Sequence, residues 1–173
     1  MPELPEVEII KKSLENKIKR QQIKRIIVKN RNLRFRIHPR FEDVLKGKFI
    51  SNIKRFSKYI LFYLNDKSVL VLHLGMSGTV HIIKKGKKNK FTNTSFYSSP
   101  TLPIKHNHMF IFFNKLKIIY NDPRRFGFFE LIKNKESLIK RFEHLGPEPF
   151  QSKFNLNYVY SFLRNKEKNI KDF

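Results

Sequence analysis

Apolar residues recur at intervals of three and four near the start of the chain, at Val7, Ile10, Leu14 and Ile18, with lysines between them. This spacing places the four side chains on one face of a helix. We therefore predict an amphipathic helix over residues 4–20, which would fix the N-terminus to the body of the protein.

Between about residue 23 and residue 132 the pattern changes to short runs rich in β-branched and aromatic residues. Tight polar links between these runs, such as Asn65-Asp66-Lys67 and Asn114-Lys115, are typical of antiparallel hairpins. Short strands without helices between them favour a sandwich or a barrel over a parallel α/β sheet. The predicted strands are Ile23–Val28, Tyr59–Leu64, Val69–Leu74, Thr79–Ile83, Met109–Phe113, Leu116–Tyr120 and Phe128–Ile132.

The segment from Lys84 to Pro100 breaks the strand pattern with clustered lysines followed by threonine, asparagine and serine. We predict a solvated, mobile loop there. Farther along the chain, an apolar face predicts a short helix over Ser137–Leu145, and Gly146-Pro147 would end it.

A proline-rich connector at Gly146–Phe150 precedes a second helical pattern that starts at Leu156. This last segment is too short to bury its apolar face alone, so we interpret it as the opening of a further domain. The predicted organisation is a β-rich domain over residues 1–150 and the beginning of a helical domain over residues 151–173.

The charge of the chain points to a polyanionic partner. Lysine and arginine number 37 against 14 aspartate and glutamate, a formal net charge of +23 over 173 residues. A membrane surface is the competing explanation, but we find neither an apolar run long enough to span a bilayer nor a signal peptide pattern. The chain has no cysteine, which excludes disulfides and thiolate metal sites. We predict a cytoplasmic protein.

The first residues contain a candidate nucleophile. If Met1 is removed, Pro2 begins the chain, and its nitrogen is a secondary amine with a reference pKa of about 7.7–8. Such an amine can attack an aldehyde or the C1′ atom of a sugar, and the resulting iminium keeps its positive charge and acts as an electron sink. Glu3 is placed to move protons. Proline and acidic residues in a first helical turn are also ordinary capping chemistry, so both interpretations stand at this point.

Two further segments carry candidate chemistry. Lys58 precedes a predicted strand, where its ammonium could bind a phosphate or stabilise charge near the N-terminal amine; the alternative is one more surface lysine. In His73-Leu74-Gly75-Met76-Ser77-Gly78, two glycines predict a sharp turn that pushes Met76 outward. An exposed unbranched apolar side chain can wedge between base steps, whereas the alternative places Met76 in the core.

The segment Asn121-Asp122-Pro123-Arg124-Arg125-Phe126-Gly127 predicts a turn that begins at Asp-Pro. Its arginines offer planar donors for phosphates or base edges, and Phe126 can replace a stacked base. In the alternative interpretation Asp122 pairs with one of the arginines and Phe126 belongs to the core.

Taken together, these segments resemble the bacterial formamidopyrimidine-DNA glycosylases, repair enzymes that excise 8-oxoguanine and ring-opened purines. PELPE and HLGMSG point away from the related endonuclease VIII group. The resemblance implies an α+β fold, in which an antiparallel β-sandwich is flanked by an N-terminal helix and a short second helix and is followed by the start of a helix–two-turn–helix domain. The matching pieces, in the family's order, are PELPEVE at 2–8, SKYILF at 57–62, HLGMSG at 73–78, the His106-Asn107-His108 cluster, NDPRRFG at 121–127 and HLGPEPF at 144–150.

The resemblance also implies catalytic roles. Pro2 would be the nucleophile that attacks C1′ and forms the iminium. Glu3 would protonate the sugar ring oxygen and later shuttle protons during strand cleavage. Lys58 would hold the phosphate of the lesion and assist base excision, and Glu6 would be a supporting acid of the first helix.

A second implied group contacts the DNA. Met76, Arg124 and Phe126 match the triad that fills the gap left when the damaged nucleotide flips out. Arg124 would face the orphaned cytosine, and Phe126 would wedge the adjacent step. Backbone or support contacts are implied for His73, His106 and Arg125.

The implied protein is a monomeric DNA glycosylase and abasic-site lyase that acts on duplex DNA by β- and δ-elimination. Its chemistry would need no cofactor, and the family's four-cysteine zinc finger is absent from this chain. Family members are longer, and the match stops near Asn169-Ile170-Lys171, at the first helix of their second domain.

Three interpretations follow from this difference in length. The chain is a fragment, or one of two chains, of a working enzyme; or it is an inactive remnant that still binds DNA nonspecifically; or it is a basic RNA- or ribosome-associated protein with a coincidental match.

Overall fold

The computed structural model describes residues 2–84, 92–93, 104–167 and 169. The helices in these ranges are α1 (Leu4–Ile18), α2 (Phe41–Leu45), α3 (Lys135–Phe142) and α4 (Leu156–Leu163). The strands are β1 (Arg25–Val28), β2 (Ile50–Phe56), β3 (Tyr59–Leu64), β4 (Val69–His73), β5 (Thr79–Lys84), β6 (Thr92–Asn93), β7 (Asn107–Phe112), β8 (Leu116–Asn121) and β9 (Phe128–Ile132).

The described strands form two antiparallel sheets. One has five strands in the order β1-β7-β8-β5-β6, and the other has four in the order β2-β3-β4-β9. The predicted polar links at Asn65-Asp66-Lys67 and Asn114-Lys115 join β3 to β4 and β7 to β8 as hairpins. The predicted antiparallel α+β architecture is confirmed.

One hydrophobic core contains residues of both sheets and of α1. From β3 it takes Ile60, Phe62 and Leu64, the period-two spacing of one strand face. The apolar face predicted for the first helix is buried in the same core. This helix ends at Ile18, two residues earlier than predicted, because Arg20 has a φ of 63° and donates its backbone N–H to Ile50 O at 2.7 Å.

The sequence pattern missed three of the described elements, β2, β6 and α2. In β2 only Ile50 and Ile53 are buried, so polar residues obscure the alternation. With five residues, α2 is too short to show a helical period. The helix predicted over Ser137–Leu145 lies at Lys135–Phe142. Most of the loop predicted over Lys84–Pro100 lies outside the described residues, although β6 within it pairs with β5.

The ends of three strands lie next to one another at one end of the four-stranded sheet. Tyr59 at the start of β3 pairs with His73 at the end of β4, and His73 pairs with Phe128 at the start of β9. The residues just before or after these positions, Lys58 among them, therefore lie side by side at this end of the sheet.

The same end of the five-stranded sheet carries the start of β5 and the end of β8, where Thr79 pairs with Asn121. Two short turns, residues 74–78 and residues 122–127, pass from one sheet to the other here. We call this the crossover end. The HLGMSG and NDPRRFG segments thus occupy neighbouring positions, although residues 79–120 separate them in the sequence.

The chain divides into two compact units, Met1–Arg141 and Phe142–Phe173. The first contains both sheets, and the second contains α4, whose N-cap Asn155 accepts the backbone N–H of Tyr158 at 3.0 Å. The domain boundary predicted between residues 150 and 151 stays a prediction. In the part of the chain that the structure describes, we find no helix with the length and apolar character needed to cross a membrane.

Candidate active site and nucleic-acid interface

The N-terminus is held by the capping of α1. Pro2 is buried, and Glu3 is the N-cap residue with extended backbone angles. Glu3 and Glu6 form a capping box, in which the backbone N–H of Glu3 donates to Glu6 Oε2 at 2.8 Å. The ordinary capping interpretation is therefore correct for Glu6, and it also fixes where Pro2 and the Glu3 carboxylate lie.

The Glu3 carboxylate forms an ion pair with Lys58, with 2.6 Å between Glu3 Oε2 and Lys58 Nζ. The side chains retain 52% and 34% of their exposure, so both remain open to a ligand. Lys58 lies in the turn between β2 and β3, next to Ser57, which has a φ of 49°. The structure thus brings two predicted residues, Glu3 and Lys58, into contact, and Pro2 is the neighbour of Glu3 in the chain.

Arg55 connects this turn to the first helix. Its Nε lies 2.9 Å from Glu8 Oε2, and its Nη1 donates to Ser57 O at 2.9 Å. Sequence analysis singled out neither Arg55 nor Glu8 as a site residue. The PELPEVE segment contains Glu8, but a contact between two residues that are 47 positions apart cannot be predicted from local periodicity.

His73 lies next to this group at the end of β4. Its ring stacks on Phe128 with 5.4 Å between centroids, and it contacts the Tyr59 ring at 4.9 Å. The backbone N–H of Gly75 donates to His73 Nδ1 at 3.1 Å, so the neutral ring carries its proton on Nε2.

Burial lowers the pKa of His73 below its ordinary value, and the charges of Arg34, Lys58 and Arg141 lower it further. A neutral histidine among three cations can donate a hydrogen bond to an anion without adding to the positive charge. This arrangement suits a phosphate oxygen at the crossover end.

Two apolar side chains stand out from the crossover turns. Met76 and Phe126 are each 43% exposed, so neither belongs to the core as the alternative interpretations proposed. The Arg124 guanidinium lies 4.7 Å from the centre of the Phe126 ring. The predicted triad is thus assembled on adjacent turns with its side chains on the surface.

Close backbone contact holds the two turns together. Gly75 has a φ of 65°, and a Cβ atom there would lie 2.5 Å from both Gly127 N and Phe126 C. Only glycine fits this position, because any side chain would overlap the backbone of the 122–127 turn.

Asp122 also links the turns, and its carboxylate is fully buried. Oδ1 accepts from Ser77 Oγ at 2.5 Å, and Oδ2 accepts from Gly127 N at 2.8 Å and Tyr120 Oη at 3.0 Å. Among the described residues these partners are neutral donors, so the suggested pairing of Asp122 with an arginine was wrong. Burial and the Asp122 charge raise the pKa of Tyr120 far above its ordinary value.

His106 and Arg125 support the turn through their backbones. Both have left-handed φ angles, 64° and 58°, and both are exposed. His106 O accepts the backbone N–H of Asp122 at 3.1 Å, and Arg125 N donates to Asp122 O at 3.2 Å. His108 was quoted only as part of a motif, but its Nε2 lies 2.8 Å from Asp122 O.

Comparison with known proteins identifies the family. Residues 1–129 match the family model of the formamidopyrimidine-DNA glycosylase N-terminal domain. The formamidopyrimidine-DNA glycosylase of Wolbachia sp. subsp. Brugia malayi (strain TRS) is 44% identical over 172 residues, which cover 99% of this chain and 58% of the relative. That of Legionella pneumophila (strain Philadelphia 1) is 36% identical over 174 residues, which cover 100% and 58%.

Solved structures of the Lactococcus lactis protein Fpg agree. Its complex with DNA containing an abasic site has a TM-score of 0.82 at 29% identity and covers 99% of this chain and 59% of that chain. Its complex with DNA containing Fapy-dG has a TM-score of 0.81 at 30% identity, with 98% and 59% covered. The chain belongs to the formamidopyrimidine-DNA glycosylase family. It spans less than three fifths of the length of these relatives.

Proposed function

We propose that this chain carries the catalytic site of a base-excision repair glycosylase and abasic-site lyase that acts, as a monomer, on oxidised purines in duplex DNA. The observation that carries the proposal is the 2.6 Å contact between Glu3 Oε2 and Lys58 Nζ beside Pro2. A nucleophilic amine, a carboxylate and an ammonium are the groups that excision through an iminium requires.

In the proposed first step the Pro2 nitrogen attacks C1′ of the damaged nucleotide. The electrons of the glycosidic bond leave with the base, which takes up a proton from water, and the Pro2 nitrogen loses its N–H proton to the Glu3 carboxylate. Glu3 gives a proton to the ring oxygen, the sugar opens, and a cationic iminium joins Pro2 to C1′. Lys58 would hold the adjacent phosphate through its exposed ammonium.

Strand cleavage follows from the charge of the iminium. The cation acidifies the C2′–H bond, so a base such as Glu3 can remove that proton while the 3′-phosphate leaves in a β-elimination. A second elimination releases the 5′-phosphate. These steps use only protein groups and need no cofactor.

The crossover turns supply the access that this chemistry needs. A purine inside a duplex must leave the stack before an amine can reach C1′, at a cost of a few kcal/mol. Met76 and Phe126 can refill the space, and Arg124 can contact the unpaired base. The net charge of +23 supports binding to the phosphate backbone.

A second candidate function is DNA binding without turnover. In the described part of the second unit, Phe150, Leu156 and Tyr160 are 92%, 82% and 65% exposed. An apolar surface of this kind is typical of a domain that is covered by further structure. Without such a cover, a catalytic first unit could bind DNA yet turn over poorly.

Borohydride trapping tests the proposal. Protein confirmed by mass spectrometry to begin at Pro2 is mixed with abasic-site DNA and reduced, and we expect a stable covalent adduct. Pro2→Gly should weaken the adduct, whereas Pro39→Gly, at an exposed proline, should not. Glu3→Gln should suppress excision of 8-oxoguanine more than binding, with Glu136→Gln as its control.

Two results would contradict the proposal. Retention of Met1 removes the reactive amine, and normal excision by Glu3→Gln removes the assigned proton donor. Absence of an adduct with this chain, together with strong trapping after a family C-terminal half is appended, would favour the second candidate.

A further inference from the structure

Asp122 is a buried acid that bonds to both crossover turns at once. Ser77 belongs to the 74–78 turn, Gly127 ends the 122–127 turn, and Tyr120 belongs to β8 in the core. Its two carboxylate oxygens therefore collect donors from three separate pieces of the chain.

Ser77 extends this link by one bond. Its hydroxyl donates to Asp122 Oδ1, and its oxygen accepts the backbone N–H of Arg124 at 3.2 Å. The path Asp122–Ser77–Arg124 thus joins two positions of the 122–127 turn through a residue of the 74–78 turn. Met76 lies directly before Ser77, and Phe126 lies directly before Gly127, so each exposed apolar side chain is one residue from a bonded group.

This arrangement opposes the natural tendency of apolar side chains to withdraw from water. Met76 and Phe126 remain 43% exposed because hydrogen bonds to the buried Asp122 carboxylate hold the backbone of both turns in place. A fully buried carboxylate is favourable only when several donors compensate for its lost hydration. Moving either turn away would remove a donor from Asp122, so the carboxylate stabilises the position of both turns.

We infer that Asp122 is a positioning residue for opening the duplex: it holds Met76, Arg124 and Phe126 as one rigid unit, so that they enter the base stack together. The inference rests on the proposed function, in which these three side chains replace an extruded nucleotide. It assigns Asp122 no contact with DNA and no part in the chemical steps at Pro2.

The test separates base extrusion from chemistry. Duplex DNA with 2-aminopurine beside the lesion reports unstacking by fluorescence, without any covalent step. Single-stranded abasic DNA needs no extrusion, so trapping on it reports the chemistry at Pro2 alone. Asp122→Asn keeps the size of the side chain but replaces one acceptor oxygen with an NH₂ group that cannot accept from Ser77 or Gly127.

We expect Asp122→Asn to reduce the 2-aminopurine signal on duplex DNA at least fivefold, while trapping on single-stranded abasic DNA stays within twofold of the wild-type rate. Ser77→Ala should act in the same direction through the Arg124 branch, and it removes no buried charge. Ser51→Ala is the matched control, because its hydroxyl donates to Tyr63 O at 3.0 Å, away from both turns. Circular dichroism checks that each variant is folded.

Equal losses on duplex and single-stranded DNA would overturn the inference, since Asp122 would then support the fold in general. An unchanged fluorescence signal in both Ser77→Ala and a folded Asp122→Asn would also overturn it, as would a wild-type protein that does not unstack the duplex. If the wild type unstacks DNA but forms no adduct, and the variants lose the unstacking, the proposed chemistry fails and the role of Asp122 stands.

Discussion

Arg55 and Glu8 join the turn before β3 to the first helix, with 2.9 Å between Arg55 Nε and Glu8 Oε2. The same guanidinium donates to Ser57 O at 2.9 Å. Ser57 has a left-handed φ of 49°, which a residue with a side chain adopts only when its surroundings hold it there. The pair therefore sets how far Lys58 stands from the helix that carries Glu3.

The first prediction concerns this spacing. Arg55→Lys keeps the charge but cannot reach Glu8 and Ser57 O together, because a single ammonium replaces the planar fork. We expect adduct formation to slow about 10- to 100-fold, as small displacements of reacting groups do. The free energy of unfolding should fall by about 1–3 kcal/mol. Single-turnover trapping and urea unfolding measure the two effects.

Arg40→Lys serves as the control, because Arg40 is exposed and lies at the start of α2. If Arg55→Lys traps DNA at the wild-type rate, the ion pair does not set the position of Lys58.

The second prediction concerns pH. Burial holds the pKa of His73 below the ordinary 6.5. At a pH between the lowered pKa of folded His73 and the ordinary 6.5, the unfolded chain binds a proton that the folded chain does not. The free energy of unfolding should therefore fall as the pH decreases through this interval and level off below the lowered pKa. Urea unfolding from about pH 8 to about pH 5 measures the slope.

His73→Gln should flatten this pH dependence in part. Burial also lowers the pKa of His81, so a double variant with His81→Gln should flatten it further. An unchanged slope in His73→Gln would show that this ring titrates alike in the folded and unfolded chains.

The third prediction compares two glycines that both have a positive φ but differ in what surrounds them. Gly47 has a φ of 86° and nothing within 4 Å of the position that a Cβ atom would take, whereas Gly75 faces the backbone of the 122–127 turn. Gly47→Ala should cost about 1–2 kcal/mol of unfolding free energy for the left-handed angle alone. Gly75→Ala should cost about 1–3 kcal/mol more, because the turns must move apart.

Thermal unfolding compares the two variants, and 2-aminopurine fluorescence follows the turns. Gly75→Ala should also lower the unstacking signal, whereas Gly47→Ala should leave it unchanged. Equal stability losses in the two variants would mean that the contact between the turns is loose.

The fourth prediction concerns salt. If four or more lysines and arginines contact phosphates, affinity for nonspecific duplex DNA should fall by about a hundredfold or more between about 50 and 200 mM salt. Arg125→Gln should reduce the slope of log K against log salt if its exposed side chain is one of these contacts. If the affinity does not change with salt, the high net charge reflects the general composition of the chain and not contacts with phosphates.

Strands with continuous apolar content could be predicted from the sequence with accurate bounds. Tyr59–Leu64 and Phe128–Ile132 were predicted without error, because buried residues follow one another closely in both. β2 was missed because an edge strand with two buried isoleucines resembles a polar loop.

The candidate site was predictable only where a motif names its residues. Pro2, Glu3 and Lys58 could be named as candidates, but the contact between Glu3 and Lys58 could not be predicted, since the 2.6 Å ion pair depends on how α1 packs against the sheet. The hydrogen bonds of Asp122 could not be predicted for the same reason, because Ser77 lies 45 residues away in the sequence and becomes a neighbour only when the sheets pack.

The position of Tyr120 has a consequence for variation in this family. The residue is 1% exposed, and its ring meets Phe129 edge-on at 5.0 Å, yet its hydroxyl donates to the Asp122 carboxylate that links the crossover turns. The hydrophobic core and the crossover turns therefore share one side chain. We therefore expect substitutions deep inside the sandwich, such as changes in the size of Phe129, to alter how far Met76 and Phe126 project from the crossover turns.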